Sequence, residues 1–104
     1  MQDLTKEEWK MALAEDENAV LIDCRTPREW NEGVQKGALL IDIMEGPAFM
    51  DKINQMDKSK NFYVYCRSGN RSGQACMLMD ANGFSQAYNL LGGMLEWDGE
   101  TVMP

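Results

Sequence analysis

The sequence contains no histidine. That absence removes Cys/His dyads, Ser/His/Asp triads and imidazole-bound metals from the chemistry open to the chain. Long apolar runs are missing as well: none approaches the roughly 20 residues of a membrane-spanning helix, and the opening "MQDLTKEEWK" lacks the apolar centre of a signal peptide. The expectation is a cytoplasmic protein with no membrane partner. Basic side chains are few, 10 against 17 acidic ones, giving a formal net charge of −7. Such a balance argues against nucleic acid as a partner and means that any anion site must rest on local positive potential. Cysteines number three, Cys24, Cys66 and Cys76. They cannot all pair within one molecule, and their spacing fits no zinc motif, so no metal site is expected. With three prolines, no low-complexity run and 44% hydrophobic residues, the 104-residue chain predicts one folded domain over 1–104. A chain of that length buries roughly two-thirds of its unfolded surface without needing staples.

What is present is an alternation of short apolar runs and helical patterns. "TKEE" at 5–8 carries the Thr-x-x-Glu capping pattern and leads into a helix with Trp9 and Leu13 on one face, ending near "EDEN". "AVLID" at 19–23 reads as a strand, and "TPRE" at 26–29 repeats the capping pattern with Pro27 at the first helical position. "ALLIDI" at 38–43 predicts a further buried strand, and "GPAFMDKINQM" at 46–56 a helix with Phe49, Ile53 and Met56 on one side. "NFYVY" at 61–65 is a strand, "NRSGQACMLMDAN" at 70–82 a helix stopped by Gly83, and "QAYNL" at 86–90 a last strand before a final helix in "GGMLEWDG". Buried strands separated by helices predict an α/β fold whose mainly parallel sheet carries helices on both faces. Sites in such sheets lie beyond the carboxyl ends of the strands, where Cys66 falls.

"YCRSGNRSG" at 65–73 is the stretch with the clearest chemistry. A strand that turns through a glycine into a helix aims successive backbone N–H groups at one point, with the positive end of the helix dipole behind them. Gly69 permits the tight turn, while Ser68, Asn70 and Ser72 add hydrogen bonds or brace the loop. Arg67 and Arg71 supply local positive charge on an acidic chain. A free thiol titrates at about 8.5, and helix N-termini or nearby cations lower that to roughly 3.5–7.5. Cys66 therefore forms a thiolate near neutral pH without imidazole. The alternative is a buried structural cysteine followed by a polar turn; the strand, glycine turn, arginines and helix together favour a functional nucleophile.

"VYCRSGNRSGQACMLMDANGFSQAYNLLGGMLEW" resembles the active-site half of rhodanese-like sulfurtransferases, and "LIDCRTPREWNEGVQKGALLIDI" is similar to the family's upstream Asp-x-Arg, Glu-aromatic and Gly-Ala segment. The resemblance spans nearly the whole chain. It implies a five-stranded rhodanese-like sheet, no cofactor, and a catalytic Cys66 that carries sulfane sulfur as a persulfide. The expected reaction moves sulfur from thiosulfate or a similar small donor to a thiophilic acceptor: cyanide, a thiol or a sulfur-acceptor protein. Arg67, Ser68, Gly69, Asn70, Arg71 and Ser72 are the expected substrate-binding loop, with Arg71 closing it and Arg67 more exposed to substrate. Cys66 to Arg71 spans six residues, one fewer than in related phosphatases and arsenate reductases, which favours sulfur over phosphorus. A binding module that uses the fold without turnover is the alternative from a different class, and the intact loop disfavours it.

Asp23 and Arg25 match the upstream motif and are possible supports behind the loop; with Glu29 they are expected to form a network of surface-type ion pairs, each contributing about 0–1 kcal/mol. Where the family usually has Gly-His-Ile, this chain reads Gly33, Val34, Gln35, which bears on packing more than on chemistry. Cys24 ends a predicted strand and stands within potential reach of Cys66. The expectation for both Cys24 and Cys76 is a packed thiol.

Overall fold

The computed structural model describes residues 1–104. Its elements in chain order are β1 Gln2–Leu4, α1 Lys6–Glu15, β2 Ala19–Asp23, α2 Pro27–Trp30, β3 Leu39–Leu40, α3 Pro47–Ile53, β4 Asn61–Tyr65, α4 Asn70–Ala81 and β5 Gln86–Leu90. The five strands form one sheet in the order β1-β5-β4-β2-β3, and every pairing is parallel.

The sheet is covered on both faces because side chains alternate along each strand. On β4, Phe62 and Val64 point into a cluster with Phe49 and Ile53 of α3 and Ala75, Cys76 and Met79 of α4. Tyr63 and Tyr65 point the other way, where Trp9 of α1 meets both rings edge-on at 5.4 and 6.4 Å between centroids. Trp9 is fully buried, and its indole N–H donates to Gln35 Oε1 at 3.1 Å. Gln35 in turn donates its backbone N–H to the Tyr65 hydroxyl. The departure from Gly-His-Ile thus becomes a buried amide whose polar groups are satisfied.

Both Thr-x-x-Glu patterns close as capping boxes, Thr5 with Glu8 and Thr26 with Glu29. Three expectations change. The strand read at 38–43 pairs only over Leu39–Leu40, because the Asp42 carboxylate accepts from the Met44 N–H and bends the chain into a 3-10 turn over Ile43–Glu45. The helix read at 46–56 ends at Ile53, with Asn54 capping it. The final helix is a single 3-10 turn, Gly93–Leu95, since Gly92 and Gly93 both take positive φ. Strand β1 was absent from the sequence reading: two of its three residues are exposed and polar, so no apolar run announces it.

Candidate functional site

Cys66 follows the last residue of β4, and four residues later α4 begins. Gly69 caps that helix with φ +99°, a conformation that L side chains rarely adopt. The turn brings its backbone N–H to 3.1 Å from Cys66 Sγ. From the first turn of α4, the Ser72 N–H reaches the same sulfur at 3.4 Å and the Ser72 hydroxyl lies 3.3 Å from it. Cys66 is fully buried among these donors. Gly69 and Ser72 are the loop residues that face the sulfur.

A fourth partner comes from the neighbouring strand. The Cys24 N–H donates to the Tyr65 carbonyl at 3.0 Å, which carries the β2–β4 register one step past Asp23↔Tyr65 and sets Cys24 beside Cys66. Both side chains lie on the α4 face of the sheet, both are fully buried, and both are free thiols. The neighbouring Cys24 thiol does most to lower the Cys66 pKa; burial opposes, and the Ser72 and Gly69 donors add to the lowering, for a value of about 4. The same interaction, with burial, pushes Cys24 far up. The opposite shifts favour the thiolate on Cys66 and the thiol on Cys24. Cys76 is pushed up to about 12, chiefly by burial, as fits a packed thiol.

The arginines divide the remaining work. Arg71 leaves the loop sideways and holds Glu29 with two parallel hydrogen bonds of 2.8 Å. Glu29 Oε1 also accepts from the Thr26 N–H and hydroxyl, so the capping box of α2 and the tie to α4 share one carboxylate. Arg67 is exposed, makes no ion pair, and lines a cavity of about 250 Å³ together with Arg25, Glu32 and Met94. Ser68 and Asn70 are exposed on the loop surface.

Asp23 and Arg25 differ from the expected surface pair. Asp23 is fully buried, Arg25 is 5% exposed, and the guanidinium spans both carboxylate oxygens at 2.7–3.0 Å while donating to the Gly33 carbonyl at 2.8 Å. Glu29 is outside this pair, engaged by Arg71. Two separate ion pairs thus flank the loop where one network was expected, and the Asp23–Arg25 pair is buried because the strand end on which it sits is covered.

The far wall of the loop is the Gly92-Gly93 segment. Met94 and Leu95 donate their N–H groups to the carbonyls of Cys66 and Arg67, both at 3.0 Å. A Cβ on Gly93 would lie 2.5 Å from the Arg67 carbonyl oxygen and 2.6 Å from that of Cys66. Asn89 on β5 is a further participant that the sequence reading missed; a polar residue between Tyr88 and Leu90 was its only signal.

The site is thus a strand-end cysteine at the carboxyl edge of a parallel α/β sheet, its sulfur facing N–H donors of the loop before a helix. Comparisons with known proteins assign this arrangement to a family. The chain belongs to the rhodanese-like domain family, whose pattern matches residues 6–100. It is 34% identical over 97 residues to a protein of Allochromatium vinosum named "Sulfurtransferase", covering 93% of this chain and 88% of that one. Crystal structures of a rhodanese-like domain protein from Staphylococcus aureus and of a Staphylococcus saprophyticus protein superpose with TM-scores of 0.85 and 0.83 at 30% and 29% identity. The first match covers 100% of this chain and 99% of its counterpart, the second 98% and 99%.

Proposed function

We propose that the protein is a sulfurtransferase that carries sulfane sulfur as a persulfide on Cys66. The observation that carries this reading is the Cys66 sulfur itself: buried and facing the N–H groups of Gly69 and Ser72, at the start of a six-residue loop that runs to Arg71. The similarity to the Allochromatium sulfurtransferase supports it.

In the first half-reaction the Cys66 thiolate attacks the outer sulfur of thiosulfate or a similar donor. The new S–S bond forms as the donor's own S–S bond breaks, and sulfite leaves with the electron pair. The outer persulfide sulfur inherits the negative charge and the ring of N–H donors. In the second half-reaction a thiolate or cyanide attacks that outer sulfur, takes it, and returns Cys66 to the thiolate. Arg67, exposed and unpaired at the cavity, attracts the dianionic donor; Arg71, occupied by Glu29, holds the loop's shape.

The test is sulfite release under single-turnover conditions. Mixing the reduced protein with thiosulfate, without acceptor, yields one sulfite per chain in a burst that Cys66→Ser lacks. A burst that survives Cys66→Ser would overturn the assignment.

A further inference from the structure

The geometry points to Asn89 as a positioning residue for Cys66, braced in turn by Asp3: it holds Gly69 and Ser72, the two loop residues that donate to the sulfur. The inference rests on Cys66 being the reacting group.

Asn89 lies on β5, next to β4 in the sheet, and is 3% exposed. Its amide has a definite orientation. Nδ2 donates to the Gly69 carbonyl at 3.2 Å and to Asp3 Oδ1 at 3.0 Å, both pure acceptors, so Oδ1 is turned toward the Ser72 hydroxyl, which it accepts at 2.5 Å. Every polar atom of the side chain is therefore committed to the loop or to Asp3.

These bonds act on the two donors of the cradle. The Gly69 carbonyl is pinned by Asn89 and by the Gly73 N–H at 3.1 Å, while the Gly69 N–H, on the preceding peptide, meets the sulfur. Pinning that carbonyl fixes the φ +99° turn in which the N–H points inward. At Ser72 the hydroxyl has one proton and two acceptors, Asn89 Oδ1 and Cys66 Sγ. When Cys66 is a thiol, its S–H donates to Ser72 Oγ and the hydroxyl proton rests on Asn89; when Cys66 is a thiolate or persulfide, the proton turns to the sulfur. In the thiolate or persulfide state Asn89 Oδ1 and Ser72 Oγ share no proton, and the hold of Asn89 on the loop runs through the Gly69 carbonyl.

Asp3 gives the N-terminal strand a part in this. β1 pairs only with β5, in the register Asp3↔Asn89, and its carboxylate is the outer anchor of the amide. The other groups acting on Cys66 are Cys24 from the end of β2 and Arg71 and Cys76 from α4; Arg67 is exposed at the cavity, and the Gly93–Leu95 turn contributes backbone alone. Substitutions at 89 and 3 leave all of these in place.

The experiment is the pH dependence of Cys66 alkylation by iodoacetamide, followed by peptide mass spectrometry, a readout independent of sulfur transfer. Asn89→Ala raises the alkylation midpoint by about one unit, tenfold less thiolate at a fixed pH below it, because the donors lose their alignment. A lowered melting temperature with an unchanged midpoint would make Asn89 an ordinary buried amide and overturn the inference. Should Asn89→Ala fail to fold, the pair Asp3→Ala and Asp3→Asn decides. Both remove the same charge and only Asp3→Asn keeps an acceptor for Asn89, so a higher midpoint in Asp3→Ala supports the brace and equal midpoints contradict it. If the midpoints move as stated while no variant, nor wild type, gains sulfur from thiosulfate, the brace stands and the sulfurtransferase reading fails.

Discussion

Cys24 and Cys66 stand side by side at the carboxyl ends of adjacent parallel strands, both fully buried, with the pKa of Cys66 lowered and that of Cys24 raised. Their shared position past the Asp23↔Tyr65 register explains how a chain without histidine obtains a low-pKa nucleophile. The donors to its sulfur are the backbone N–H groups of Gly69 and Ser72 and the Ser72 hydroxyl, with a second thiol beside it.

The first prediction concerns that pair. Wild-type Cys66 remains alkylatable as pH falls to 5 and loses reactivity around its pKa of about 4. Cys24→Ala removes the neighbouring thiol that does most to lower the Cys66 pKa and thereby raises the midpoint. A hydrogen bond to a charged group is worth ~1.5–3 kcal/mol, so the rise is about 1–2 units. Cys24→Ser keeps a donor and falls between the two. Iodoacetamide kinetics against pH check this, and equal midpoints in wild type and Cys24→Ala would remove Cys24 from the account.

Asp23 and Arg25 supply a stability prediction. Asp23→Ala leaves a buried guanidinium without its carboxylate, and breaking a buried pair in this way costs about 3–5 kcal/mol. Arg25→Met together with Asp23→Leu removes both charges and costs much less. Urea unfolding of the two variants measures the difference.

The tie between Glu29 and Arg71 has a pH signature. Arg71 holds the Glu29 carboxyl down at about 2, against about 4.3 in an unfolded chain. A depressed folded-state pKa gives stability that is present above the unfolded value and lost as pH falls through the folded one. The melting-temperature gap between wild type and Glu29→Gln is therefore full above about pH 4.3 and closes toward pH 2. Both side chains are partly solvated, at 26% and 19% exposure, so the full gap corresponds to about 1 kcal/mol after screening.

Gly93 tests the far wall. Its φ of +54° disfavours any L side chain by about 1–2 kcal/mol, and a Cβ would collide with the carbonyls of Cys66 and Arg67. Gly93→Ala is predicted to lower both the melting temperature and the alkylation rate of Cys66 at neutral pH. An unchanged alkylation rate would show that the loop keeps its shape without this close approach.

Local signals in the sequence carried much of this site. The Cys66–Ser72 loop was legible because strand, glycine and helix follow one another in eight residues, and both capping boxes were legible because Thr and Glu are three apart. What stayed hidden depends on distance along the chain. Asn89 reaches Asp3 across 86 residues and Gly69 across 20, and nothing local marks either contact. The second Thr-x-x-Glu pattern was read as a helix start; that the same carboxylate also holds Arg71, 42 residues on, needs the packed structure. Asp23 and Arg25 read as surface charges since charged residues are usually exposed, and only the covered strand end buries them. β1 escaped because a three-residue edge strand has too few apolar residues to show a period.

Whether Cys66 carries sulfur is decided by intact-mass spectrometry of the reduced protein after exposure to thiosulfate. The expected result is a gain of one sulfur atom, mapped to the Cys66 peptide, reversed by a thiol or by cyanide, and absent in Cys66→Ala. No gain on wild type, or the same gain on Cys66→Ala, would contradict it.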